Sequence, residues 1–85
     1  MTRSQIVIRG ETWLTIETVA ACYELEVAWV RHAYDLGMLG LGEHVDDFLA
    51  VPISVLDRVA LIRQLELRQG LELAHIASLI GPFFG

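Results

Sequence analysis

Apolar residues recur at helical spacing along much of the chain. Ile16, Val19, Ala20 and Tyr23 lie at i, i+3, i+4 and i+7, which is typical of one buried helical face. Trp13 and Leu14 lead into this helix, Thr15 suits its N-cap, and the helix is expected to end near Cys22 or Tyr23. The pattern therefore predicts a first helix directly after residue 14.

Three further helices are predicted from the same periodicity. The second covers about 26–36 and ends before Gly37. The third covers 52–69, because Pro52 suits the first turn of a helix and Gly70 suits its end. The fourth covers 72–80 and is terminated by Gly81-Pro82. The first two helices are close enough in sequence to form a helix-turn-helix.

Two short segments have the composition of strands. Ser4–Arg9 is β-branched and is followed by Gly10, which predicts an edge strand or an ordered N-terminal arm. Residues 38–51 combine glycines, acidic residues and the apolar run 48–51, which predicts a hairpin or "wing" with which Ile6–Ile8 could pair.

These elements predict one mainly α domain over 1–85. Its parts are an arm (1–13), a helix-turn-helix (15–37), an acidic wing (38–51) and two further helices (52–69 and 72–80). The expected fold is a winged helix-turn-helix with a short β-hairpin or arm–wing pairing.

Composition narrows the function classes. Hydrophobic residues make up 54% of the chain and charged residues 20%, which excludes a disordered tail. Six arginines and no lysine face eleven acidic residues, so the net charge of −5 opposes binding to phosphate backbones. The single Cys22 cannot form an internal disulfide, and the sequence contains neither a signal-peptide core nor an apolar run of roughly 20 residues. A cytoplasmic protein without membrane segments is expected.

Four short motifs carry a resemblance to a known family. They are Val30-Arg31, Leu36-Gly37-Met38-Leu39, Ile62-Arg63-Gln64-Leu65 and Gly70-Leu71-Glu72-Leu73-Ala74-His75-Ile76. Over about 14–80 the chain resembles the winged-helix module of the MerR superfamily, and within it the compact, acidic CbpM-type chaperone modulators. The resemblance implies a protein that binds the J-domain of a DnaJ-type co-chaperone and inhibits or assembles the DnaK–DnaJ system.

The alternative is a MerR-type DNA-binding transcriptional regulator. The second helix would then enter a major groove, where arginine, lysine, asparagine or glutamine side chains contact base edges. Its early positions are instead Glu26, Val27, Ala28 and Trp29. Five acidic residues within 26–51 oppose Arg31 alone, giving that region a net charge of −4. Arg31 is the residue on which DNA binding would depend.

Catalytic and metal chemistry find little support in the sequence. His32, His44 and His75 show none of the paired spacings of zinc sites and are expected at the surface. Cys22 is expected to be a small packed thiol, and the glycines of the wing do not precede a lysine and a helix as in a phosphate-binding loop. We expect no enzymatic activity, metal or cofactor.

The acidic wing is the first candidate partner-binding surface. Glu43, Asp46 and Asp47 would steer a basic partner, and Trp29 or Tyr34 would supply an aromatic anchor beside them. The competing interpretation is that a charged wing tip only keeps a small hydrophobic protein in solution.

The third helix is the second candidate surface. Leu61 and Leu65 lie away from the side that carries Val55, Val59 and Ile62. Either the domain core is two-sided, or the two leucines contact a partner or a second copy of the chain, with Arg58 and Arg68 at the rim. Phe83 and Phe84 would likewise either fold back or dock elsewhere.

Overall fold

The computed structural model describes residues 5–81. Four strands and four helices follow one another along this range. They are β1 (Gln5–Ile8), β2 (Glu11–Thr15), α1 (Ile16–Cys22), α2 (Val27–Asp35), β3 (Glu43–Val45), β4 (Phe48–Pro52), α3 (Val55–Gln69) and α4 (Leu73–Ile80). No helix within 5–81 is long and apolar enough to cross a membrane.

The strands form a single antiparallel sheet in the order β1-β2-β4-β3. Strands account for 22% of the structure, and the sheet curls into a half-barrel beside the four helices. The protein thus has a small α/β fold. The prediction of a mainly α winged helix is wrong.

The error lies in the segment before the first helix. Arg9 and Gly10 both have positive φ angles (50° and 81°), the geometry of the two-residue turn that joins twisted antiparallel strands. Glu11–Thr15 is therefore the second strand of a hairpin, whereas the sequence predicted only a segment leading into the first helix. The predicted arm–wing pairing is also incorrect, because β2 lies between β1 and β4.

Thr15 belongs to the sheet and to the first helix at once. It is the last residue of β2, and its Oγ1 accepts a hydrogen bond from the Thr18 backbone N–H at 3.2 Å. This bond satisfies one of the free N–H groups at the start of α1, as the sequence predicted. No loop separates strand from helix, which explains why the sequence showed no boundary between them.

The other helices differ from the predictions mainly at their ends. Pro52 is the last residue of β4, not the first turn of a helix, and α3 begins at Val55 after Ser54. Gly37 and Gly70 follow α2 and α3 with φ angles of 80° and 63°, the left-handed conformation expected after a helix. Gly81 ends α4, whereas Pro82, Phe83 and Phe84 lie outside the described residues.

The core lies between the helices and one face of the sheet. It includes the following fully buried side chains: Val19, Val30, Met38, Leu39, Val51, Val55, Val59, Ile62 and Ile76. The first helix buries Ile16, Val19 and Ala20 as predicted, but Tyr23 is 36% exposed. Cys22 is exposed, so the expectation of a packed thiol is wrong. A second, smaller cluster of Ile6, Trp13 and Ala50 contains a buried Trp13 Nε1 that has no hydrogen-bond partner among residues 5–81.

Candidate functional site

The carboxylates of the predicted wing surround the turn between β3 and β4. Asp46 and Asp47 form this turn, are exposed, and have φ angles of 48° and 69°. Glu43, at the start of β3, is partly exposed, and its Oε1 lies 3.2 Å from Nη2 of Arg9 in the other hairpin. An exposed ion pair of this kind contributes about 0–1 kcal/mol, so Glu43 keeps much of its interaction with solvent.

Trp29 does not stand as an exposed side chain next to the wing. It is half-buried, and its indole Nε1 donates to both carboxylate oxygens of Glu66 on α3, at 3.1 and 3.2 Å. Arg63 on the same helix also pairs with Glu66. The contacts of Trp29 therefore connect α2 to α3.

Trp29 lines a cleft where the turn between α1 and α2 approaches α3. The lining residues are Glu24, Leu25, Glu26, Trp29 and Arg63, and we call this site the Trp29 cleft. Its volume is about 330 Å³. This cleft could not be predicted from the sequence, because Trp29 and Glu66 are 37 residues apart and no local pattern relates them.

Glu24 occupies an unusual position beside this cleft. Its φ angle is 54°, and the turn is closed by hydrogen bonds from the N–H groups of Glu24 to Ala21 O and of Leu25 to Ala20 O. This pattern is a Schellman motif, in which glycine normally occupies the left-handed residue. The exposed Glu24 carboxylate is thus placed at the cost of backbone strain.

Tyr34 is half-buried, and both its hydroxyl and its ring contact other residues of the chain. Its hydroxyl accepts a hydrogen bond from the Gly42 N–H at 3.1 Å, and its ring packs against the core. A Cβ on Gly42 would lie only 2.8 Å from Ala50 O and 3.1 Å from Cε1 of Tyr34, so this approach requires glycine. Tyr34 fixes the segment that leads into β3.

The two leucines of α3 have different surroundings. Leu65 is partly buried and packs against the main core, as the two-sided interpretation of this helix expects. Leu61 is 45% exposed. The structure therefore leaves Leu61, but not Leu65, substantially open to solvent.

Arg31 on α2 and Arg58 and Arg63 on α3 each have an acceptor within the protein. Arg31 is exposed and lies 3.9 Å from Asp35, one turn along α2. Arg58 donates to the backbone oxygens of Met38, Ile80 and Gly81, whereas Arg63 pairs with Glu66. Arg58 and Arg63 are five positions apart, or about 140° around α3. Together with Arg9, which pairs with Glu43, these three arginines contact acceptors of the protein itself.

The three histidines are exposed, as the sequence predicted. Within residues 5–81 no group of three or more histidine, cysteine, aspartate or glutamate side chains is arranged to hold a metal ion. The candidate functional groups are therefore the carboxylates of the β3–β4 turn and of the turn between α1 and α2, together with the ring of Trp29.

Comparisons with protein-family models, with curated proteins and with solved structures find no match to this chain.

Proposed function

We propose that this chain is a non-enzymatic interaction module of the cytoplasm that binds the J-domain of a DnaJ-type co-chaperone. By occupying the J-domain it would inhibit or assemble the DnaK–DnaJ system without covalent chemistry. The observation that carries the proposal is the placement of exposed carboxylates at strained turn positions.

Asp46 and Asp47 illustrate this placement. A two-residue hairpin turn with two positive φ angles favours Asn-Gly or Asp-Gly, so Asp46 suits its position, whereas Asp47 occupies the position where glycine is usual. Two adjacent aspartates also repel each other. Residues kept in a costly backbone conformation point to a role outside the fold itself. Here that role is the presentation of negative charge.

The charge balance indicates a basic partner. Arg9, Arg31, Arg58 and Arg63 contact carboxylates or carbonyl oxygens of the chain, whereas Asp46 and Asp47 project from a turn. Opposite charge steers a partner during approach and fixes its orientation. The J-domain of the co-chaperones bound by the resembling modulators has a basic second helix, which fits such a surface.

Binding to a J-domain tests this proposal. The native chain and the variant Glu43→Gln/Asp46→Asn/Asp47→Asn are titrated by calorimetry with the J-domain of the DnaJ-type co-chaperone from the same genome. The variant is expected to bind about tenfold more weakly at low salt. The control Glu11→Gln/Glu17→Gln/Asp57→Asn removes three other exposed carboxylates and should change the affinity much less.

Two results would contradict the proposal. The first is that the native chain fails to bind the J-domain. The second is that the two triple variants lose affinity to the same extent. A mobility shift on genomic DNA at low salt that disappears with Arg31→Ala would instead support gene regulation. Light scattering of the complex gives its stoichiometry and shows whether a second copy of the chain takes part.

A further inference from the structure

The Trp29 cleft has a size and a polarity that fit one long basic side chain. Its volume of about 330 Å³ is at the small end of ligand pockets, which usually measure about 300–1,000 Å³. Leu25 and the ring of Trp29 give it apolar lining, and Glu24 and Glu26 are exposed carboxylates beside that lining. The methylene stem of an arginine or lysine side chain can pack against the apolar lining, while its charged end can pair with the carboxylates.

The charge around the cleft selects for a cation. Arg63 is paired with Glu66, so the charges of these two residues offset each other. Glu24 and Glu26 take part in none of the ion pairs of residues 5–81 and give the lining an excess of negative charge. Because Glu24 and Glu26 outnumber Arg63 in the lining, a guanidinium or ammonium group is favoured over an anion at short range.

Trp29 is held in place before any ligand arrives. Its Nε1 is fixed by the Glu66 carboxylate, which is itself paired with Arg63. A ring with a fixed orientation loses little conformational entropy on binding. A cation over an indole ring is attracted by the negative face of its π-system.

We infer that the Trp29 cleft receives an arginine or lysine side chain from the basic segment of a protein partner. Trp29 would contact the stem and the cation, and Glu24 and Glu26 would pair with the charged end. This inference rests on the proposed function, which it extends from the β3–β4 turn to a second contact on the same partner. It also gives Glu24 a function that explains the absence of glycine in its turn.

Calorimetry with the J-domain tests the cleft separately from the wing. The variant Glu24→Gln/Glu26→Gln is expected to bind about tenfold more weakly than the native chain. The control Glu11→Gln/Asp57→Asn removes the same charge at exposed positions outside the cleft lining. A loss at least threefold greater than in the control supports the inference, and a smaller difference overturns it while J-domain binding by the native chain stands.

A second measurement decides the case in which the native chain does not bind the J-domain. With Trp13→Phe, Trp29 is the single tryptophan, and its fluorescence is titrated with acetyl-hexa-arginine amide and with acetyl-hexa-glutamate amide. Saturable quenching by the arginine peptide alone, lost with Glu24→Gln/Glu26→Gln, supports the cleft even though the proposed partner is then wrong. Equal responses to both peptides, or a response that the double variant retains, overturn it.

Discussion

Within residues 5–81 four non-glycine residues have positive φ angles, which L-amino acids mostly avoid; three of them are acidic and the fourth is Arg9. Glu24, Asp46 and Asp47 have φ angles of 54°, 48° and 69°. For a residue with a Cβ this conformation costs about 1–2 kcal/mol, although aspartate tolerates it better than glutamate. Glycine would suit the positions of Glu24 and Asp47 better if the stability of the fold alone mattered, whereas aspartate is common at the position of Asp46. At Glu24 and Asp47 the chain therefore exposes a carboxylate at a cost in stability.

Replacing the two aspartates should reverse this exchange. We expect Asp46→Asn/Asp47→Gly to stabilise the protein by about 1 kcal/mol, because Asn-Gly suits the turn and removes the repulsion between the carboxylates. The same variant should bind the J-domain more weakly. Urea unfolding and calorimetry on one preparation give both quantities. A variant that is more stable and binds with undiminished affinity would show that these carboxylates serve no partner.

The cap at Thr15 should carry a measurable share of the stability. Thr15→Ala is expected to destabilise the protein by about 1 kcal/mol, because it removes the acceptor of the Thr18 N–H at a buried position. For a domain of this size that corresponds to a fall in Tm of about 4–8 °C. Thr15→Ser keeps the hydroxyl and should retain most of the stability. Equal melting temperatures for the alanine variant and the native chain would contradict a role for the cap.

At the scale of elements, one side chain connects α3 to two other parts of the fold. The Arg58 Nε donates to Met38 O at 2.9 Å, and its Nη2 donates to the carbonyls of Ile80 and Gly81. Met38 follows α2, and Gly81 follows α4. A planar guanidinium reaches acceptors in two directions, which a lysine ammonium on a single flexible stem reproduces poorly. Arg58 therefore serves the fold rather than the rim of an interface.

Substitution of Arg58 should lower stability even when the charge is kept. We expect Arg58→Lys to reduce the free energy of unfolding by about 1–2 kcal/mol, since hydrogen bonds from a charged donor are lost. Arg68→Lys, at an exposed position of the same helix, should change it by less than about 0.5 kcal/mol. Urea unfolding of the three proteins provides the comparison. Similar losses at both positions would mean that the carbonyl contacts of Arg58 contribute little.

The helices could be predicted from the sequence because their apolar periodicity and end signals are local. Ile16, Val19 and Ala20 mark the face that α1 buries, and Gly37 and Gly70 mark helix ends. The second strand could not be recognised, because Glu11–Thr15 continues into α1 without an intervening loop. Its strand character depends on pairing with both β1 and β4, the latter a contact between residues far apart in sequence.

The candidate site also contains one feature that the sequence predicts and others that it does not. The acidic turn at Asp46-Asp47 is visible in the sequence, because both of its residues are neighbours in the chain. The partner of Trp29 is not, since Glu66 reaches it only when α2 packs against α3. The same packing places Glu24 and Glu26 in the lining of one cleft with Trp29 and Arg63. Features formed by tertiary contacts had no local signal from which to be predicted.

Acidic residues outnumber arginines in the whole molecule, eleven to six. The chain carries a net charge of −5, and Arg9, Arg31, Arg58 and Arg63 are engaged with acceptors of the protein. The outward field is therefore dominated by carboxylates, including those of the β3–β4 turn and of the Trp29 cleft. Long-range attraction of a basic partner by such a field raises the association rate more than it slows dissociation.

Salt should therefore act mainly on the association rate of the complex with a J-domain. Between about 50 and 500 mM salt the Debye length falls severalfold, so we expect the association rate constant to drop about tenfold. The dissociation rate constant should change much less, because close contacts such as the one proposed for Trp29 are screened weakly. Surface plasmon resonance with immobilised J-domain measures both constants. The variant Glu43→Gln/Asp46→Asn/Asp47→Asn should show a flatter dependence of the association rate on salt. If its salt dependence equals that of the native chain, steering does not come from the β3–β4 turn, and the variant Glu24→Gln/Glu26→Gln is the next to measure.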